Sequence, residues 1–107
     1  LLKDNRNVTS IRGVDDITCI GIQEALKTNK KRIPDDIALC SFDNTYIAQT
    51  SQPKLTSVDH GIYMRVKFAI DLLIERIENP DKTGMIYKTE CEPQLIVRES
   101  TSKNKIK

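Results

Sequence analysis

Asp15 and Asp43 are the residues of this chain best placed to do chemistry. Each lies just past a strand-prone run, Val8-Thr9-Ser10-Ile11-Arg12 for the first and Ile37-Ala38-Leu39-Cys40-Ser41-Phe42 for the second. An ionised carboxylate is a pure acceptor, with about four lone-pair sites, so two of them at one edge suit a ligand rich in hydrogen-bond donors. Each also has a plainer use. Asp15, with Asp16 beside it, can cap a helix, and Asp43-Asn44-Thr45 can simply form a turn. His60, the sole histidine, is a third candidate, and its plainer use is as a surface or packing residue.

Other chemistry finds little support. No Ser or Cys stands at motif spacing from a base, no glycine-rich phosphate loop is present, and one histidine cannot build a metal cluster. The three cysteines, Cys19, Cys40 and Cys91, are odd in number and far apart, which argues against a disulfide framework and a zinc site. Neither an enzyme nor a cofactor site is expected. Seventeen basic and fifteen acidic residues leave a net charge of +2, so nothing global points to nucleic acid or a membrane surface. The basic run 27–32 reads as a solvated turn. No apolar run approaches membrane-spanning length.

The elements that must position the acids follow from pattern. A strand is expected over 8–12 and a helix over 16–28, with Ile17, Ile20, Ala25 and Leu26 on its inner face and Gly21 packed closely on a sheet. The run 37–42 reads as an interior strand of a parallel sheet, because it is apolar on both faces. Strand, helix, strand makes a right-handed βαβ unit, and ligands meet such sheets at the carboxyl ends of the strands. Asp15 and Asp43 would then share one edge. A short extended segment is expected over 52–58. A long helix follows over 62–78, with the stripe Ile62, Val66, Ala69, Leu73, Ile77, ended by Asn79-Pro80. The last strand centres on Leu95-Ile96-Val97. The fold class is α/β, a parallel sheet flanked by helices.

These residues also resemble a known family. Asp15-Asp16-Ile-Thr-Cys-Ile-Gly21 is similar to the "N/D-D-x-x-A-x-G" helix start of LacI/GalR-type transcription regulators, and Arg32-Ile-Pro34-Asp35-Asp36-Ile37 to their "R-V-P-x-D-V" turn. Phe42-Asp43-Asn44-Thr45 with Pro53-Lys-Leu55-Thr56-Ser57-Val58 resembles "G-F-D-N/D … P-x-L-T-T/S-V". Leu72 to Ile77 and Pro93 to Thr101 resemble the closing helix and strand. The order and gaps match along nearly the whole chain. Ser41, His60, Gly61 and Val66 depart from the pattern, where Gly, Gln, Pro and Gly are frequent.

The resemblance implies a type I periplasmic-binding-protein-like fold, here the C-terminal lobe plus one hinge-crossing helix. It implies that 1–107 is the C-terminal part of a sugar-binding and dimerisation domain, with the front of the protein missing. The helix at 61–79 would pack on the missing N-terminal lobe, with crossings near 58–60 and 83–85. It implies a cytoplasmic repressor of a sugar-utilisation operon. A small sugar or phosphosugar effector in the interlobe cleft would change operator affinity, and operator DNA would be read by a domain outside this chain. Asp43, Asp15 and His60 match ligand-binding positions. Ile20, Tyr46, Ile47 and Ala48 match a homodimer interface, their plainer use being an ordinary core face. The alternative is a periplasmic sugar-binding protein of a transporter. Alone, the piece is expected to bind ligand weakly and to associate through the exposed 62–77 stripe.

Overall fold

A computed structural model describes residues 7–82, 84 and 86–102. The chain divides into two units, one made of its first part up to Asp59 together with the segment from Gln94 onward, the other running from His60 to Pro93.

The first unit is a four-stranded sheet in the order β1-β2-β3-β4 (Ser10–Arg12, Ala38–Phe42, Thr56–Asp59, Gln94–Ile96). β1 lies parallel to β2, with Ile11 opposite Leu39, and β2 parallel to β3, with Ser41 opposite Ser57. β4 runs antiparallel to β3, with Leu95 opposite Val58. The sheet is therefore mixed and mostly parallel, where the sequence pattern predicts a parallel one. The chain leaves at the end of β3 and re-enters the sheet in the opposite direction.

Helix α1 (Asp16–Thr28) starts because Asp15, in an extended conformation, accepts from the Thr18 N–H at 2.6 Å. It stops at Asn29, whose carboxamide donates to the Ala25 carbonyl, and Lys30 follows in the left-handed region at φ 56°. The basic turn after it is exposed, as expected. There the Arg32 guanidinium grips Asp36 at 3.1 Å and holds its carboxyl down to about 2.

The inner face of α1 differs from the apolar count. Asp16, Cys19, Gln23 and Leu26 are its buried residues, whereas Ile17 is 69% exposed and Ala25 is exposed. The helix is rolled so that two polar side chains point inward, and each finds a partner there. Gln23 donates to the Pro53 carbonyl at 2.8 Å, and Asp16 meets the hydroxyls described below. Gly21 is a second correction, being exposed with open space where a Cβ would stand. The close approach is at Gly13, where a Cβ would collide with the Cys19 sulfur. Gly21→Ala is accordingly expected to raise stability by about 0.5–1 kcal/mol through helix propensity. Gly13→Ala is expected to lower it by about 1–3 kcal/mol through overpacking. Denaturation midpoints of the two variants check both signs.

Cys19, Leu39, Ala48 and Leu55 form the core cluster, and Ile11, Ile20, Ile22 and Ile33 pack against it. Ala48 comes from a short helix α2 (Tyr46–Thr50), for which the sequence pattern gives no expectation. Ser100 stitches the end of the chain to the sheet. Its hydroxyl donates to the Leu39 carbonyl at 2.5 Å and accepts from the Thr56 N–H at 2.8 Å.

The second unit holds α3 (Ile62–Glu78) and a 3-10 turn (Pro80–Lys82). Gly61 caps α3 at φ 73°, a conformation that suits glycine. No residue of α3 is buried, and its stripe residues Ile62, Val66, Leu73 and Ile77 are all exposed. The division between the units falls at Asp59–His60 and again at Pro93–Gln94. The crossing expected near 83–85 falls on positions of which two, Thr83 and Met85, lie outside the described residues.

Candidate functional site

Because β1 and β2 are adjacent and parallel, the loops after them emerge on one edge of the sheet. Asp15 and Asp43 stand on those loops and line one cavity of about 330 Å³, together with Asp16, Ile17, Thr45, Tyr46 and Ile47. The volume is at the low end of small-molecule sites. Two carboxylates supply the acceptors, while Ile17 and Tyr46, both largely exposed, supply apolar surface beside them.

The Asp15 carboxylate caps α1, and the Thr18 N–H and hydroxyl hold it below the ordinary carboxyl range. Asp15 thus both caps α1 and lines the cavity. Asp43 is half-buried and sits in the left-handed region at φ 97°, next to Asn44 at φ 53°. Phe42 is not among the cavity-lining residues, and the Arg12 guanidinium lies 5.6 Å from its ring centre.

Asp16, which sequence reasoning treats only as a capping residue, organises the rim from behind. Its Oδ1 accepts from the Ser41 hydroxyl at 2.5 Å and the Ser57 hydroxyl at 2.9 Å. Its Oδ2 accepts from the Thr45 N–H at 2.6 Å and the Thr45 hydroxyl at 2.7 Å. One buried carboxylate thus ties α1 to β2, β3 and the loop that carries Asp43. Burial alone would push its pKa up, but the hydroxyls of Ser41 and Thr45, the Thr45 N–H and the Ser57 hydroxyl outweigh that and leave it lowered. The signal available in the sequence was Ser41, a hydroxyl inside a buried strand, which needs a partner.

His60 belongs to the second unit and is not among the cavity-lining residues. Its Nδ1 accepts from the Arg65 guanidinium at 2.9 Å. Of the residues matched to a dimer interface, Tyr46 is 76% exposed, and it lines the acid cavity together with the half-buried Ile47. Ile20 is half-buried against the core. Ala48 is a correction, because its side chain is fully enclosed between Leu39, Leu55 and Cys19 and presents no surface to a partner. Cys19 is no nucleophile, since burial raises its thiol to about 11. No group of His, Cys, Asp and Glu suited to a metal ion occurs among the described residues. No helix among them is long and apolar enough to cross a membrane.

Residues 9–101 match the periplasmic binding protein-like domain family. The chain belongs to this family. Within the periplasmic-binding-protein-like group its relatives are LacI-type regulators. The ribose operon repressor of Halalkalibacterium halodurans is 33% identical over 101 residues, covering 94% of this chain and 30% of the repressor. The HTH-type transcriptional repressor PurR of Vibrio campbellii is 30% identical over 96 residues, covering 89% and 28%. A LacI family transcriptional regulator from Enterococcus faecalis, solved with bound ribose, superposes with a TM-score of 0.78 at 27% identity, covering 92% of this chain and 36% of that one. The chain spans less than a third of the length of the two curated relatives.

Proposed function

We propose that this periplasmic-binding-protein-like chain is the effector-sensing and dimerising portion of a LacI-type repressor of a sugar-utilisation operon. The observation that carries the reading is the juxtaposition of Asp15 and Asp43 in one cavity at the carboxyl edge of a parallel strand pair. Sugar hydroxyls donate to the two carboxylates. Relatives that are repressors by name favour regulation over transport.

In this reading the exposed stripe of α3 packs on an N-terminal lobe, and ligand between the lobes favours the closed arrangement. His60 is the third ligand-binding residue of this reading. A homodimer, formed through Tyr46, Ile47 and Ile20, passes the change to helix-turn-helix domains on operator DNA in the cytoplasm. The effector is a free sugar or a phosphosugar. The test is titration of the full-length protein with ribose, other pentoses, hexoses and their phosphates while operator binding is followed by fluorescence anisotropy. At least one is expected to shift operator affinity about 5- to 150-fold, the usual range of allosteric coupling. If none moves it, the sensor role is wrong.

A further inference from the structure

Asp43 and Asn44 are consecutive non-glycine residues with positive φ, at 97° and 53°. Two such residues in a row persist only where the surroundings over-determine them. The main chain supplies part of the restraint. The Asp43 N–H donates to the Val58 carbonyl at 2.9 Å, and the Asn44 N–H to the Ser57 hydroxyl at 2.9 Å. The Asn44 side chain adds to it. Its Nδ2 donates to Asp59 Oδ2 at 3.0 Å, and its Oδ1 accepts from Arg98 Nη2 at 2.6 Å. Arg98 has only donors and the Asp59 carboxylate only acceptors, so this orientation of the carboxamide is the one that satisfies both. Arg98 is itself fixed. Its Nη1 donates to the Leu55 carbonyl at 2.7 Å and its N–H to the Thr56 hydroxyl at 2.7 Å.

We propose that Arg98, acting through Asn44, is a positioning residue that holds Asp43 at the cavity rim and ties that rim to Asp59, the last residue of the first unit before the chain crosses into the second. The guanidinium spans two acceptors in a fixed fork, the Leu55 carbonyl of the β3 approach and the Asn44 carboxamide of the rim loop. A cation on one side of the amide and an anion on the other polarise it in the same sense, which strengthens both bonds. The Asn44 carboxamide, held by Arg98 and Asp59, thereby restrains the backbone beside it at Asp43. The positioning role rests on the reading of Asp43 as the ligand acid; the rigidity of the rim does not.

The test uses the full-length protein with Arg98→Met, Arg98→Lys, Asn44→Gly and the Arg98→Met/Asn44→Gly pair. Two quantities are read: amide hydrogen exchange, and ribose affinity by calorimetry. The amides of Asp43, Asn44 and Thr45 report directly, since their acceptors are the Val58 carbonyl, the Ser57 hydroxyl and Asp16. In Arg98→Met these three are expected to exchange about tenfold faster or more, the factor one lost charge-assisted bond gives, while α1 amides keep their protection. Ribose should bind about tenfold more weakly. Arg98→Lys should fall between, because an ammonium cannot bridge both acceptors. In the pair, the exchange at 43–45 should match Asn44→Gly alone.

Wild-type exchange at 43–45 in Arg98→Met, or effects that simply multiply in the pair, would overturn the proposal. If Arg98→Met does not fold, Arg98→Lys decides by the same exchange criterion. Failure of ribose to bind the wild type counts against the effector reading alone, and the exchange comparison still decides whether Arg98 holds the rim.

Discussion

Asp16→Ala is expected to cost about 3–5 kcal/mol of folding stability, in the range for stripping the acceptor from a buried charged network. The carboxylate is 1% exposed and receives bonds from Ser41, Ser57 and both donors of Thr45. The Ser41 hydroxyl has an alternative, the Thr56 carbonyl at 3.4 Å. The Thr45 N–H is fixed by the backbone and cannot turn to another acceptor. The loss should appear as a lower urea midpoint with an unchanged slope. Asp16→Asn keeps the shape. Its carbonyl can face the Thr45 N–H and hydroxyl while its amide donates to the Ser41 and Ser57 hydroxyls, which accept as well as donate. It is therefore expected to recover part of the loss but not the charge assistance.

The same carboxylate sets a pH dependence. Its folded-state pKa lies below the ordinary value of 3.8. The unfolded chain therefore takes up the proton first as the pH falls. The contribution is complete above the ordinary value and is lost as the pH drops through the lowered folded-state value. In Asp16→Asn that part of the acid-side slope disappears. A plot of stability against pH from neutrality downward should show the two proteins drawing together as the pH falls below the ordinary carboxyl value. Parallel curves would mean that Asp16 is not the group responsible.

The secondary structure was legible where a single physical cue decided it. The span Asp16–Thr28 follows from an acidic cap at one end and an Asn-Lys stop at the other, and the span Ile62–Glu78 follows from an apolar stripe closed by Asn79-Pro80. The parallel pairing of β1 with β2 follows from the crossover helix between them. What was not legible depended on partners distant in sequence. An apolar count gave Ile17 to the inner face of α1, yet Asp16 and Gln23 are buried there because Ser41, Ser57, Thr45 and Pro53 satisfy them. Nothing local announces α2, whose Ala48 is held by Leu39 and Leu55.

The candidate site followed the same rule. The edge that carries Asp15 and Asp43 could be derived from strand order. The residues that stiffen it could not, because Arg98 and Asn44 meet only after the chain has passed through the whole second unit. Asn44 was visible as a turn residue. That its carboxamide is shared between Asp59 and Arg98 is a tertiary fact.

Asp43→Asn in the full-length protein is expected to weaken sugar binding about 100-fold or more, and with it the response of operator binding. A carboxylate that accepts from two ligand hydroxyls loses charge assistance in both bonds, and the new N–H meets a donor where an acceptor is needed. Asparagine is the informative replacement because position 43 lies at φ 97°, where alanine would add strain of its own. The companion variant is Asp15→Asn. Asparagine caps a helix as well as aspartate does, so the start of α1 stays in place while the charge at the rim is removed. If both acids face one ligand, their effects on affinity should be more than additive or less, but not independent. Wild-type affinity in Asp43→Asn, measured with the sugar that moves operator binding, would detach this cavity from effector recognition.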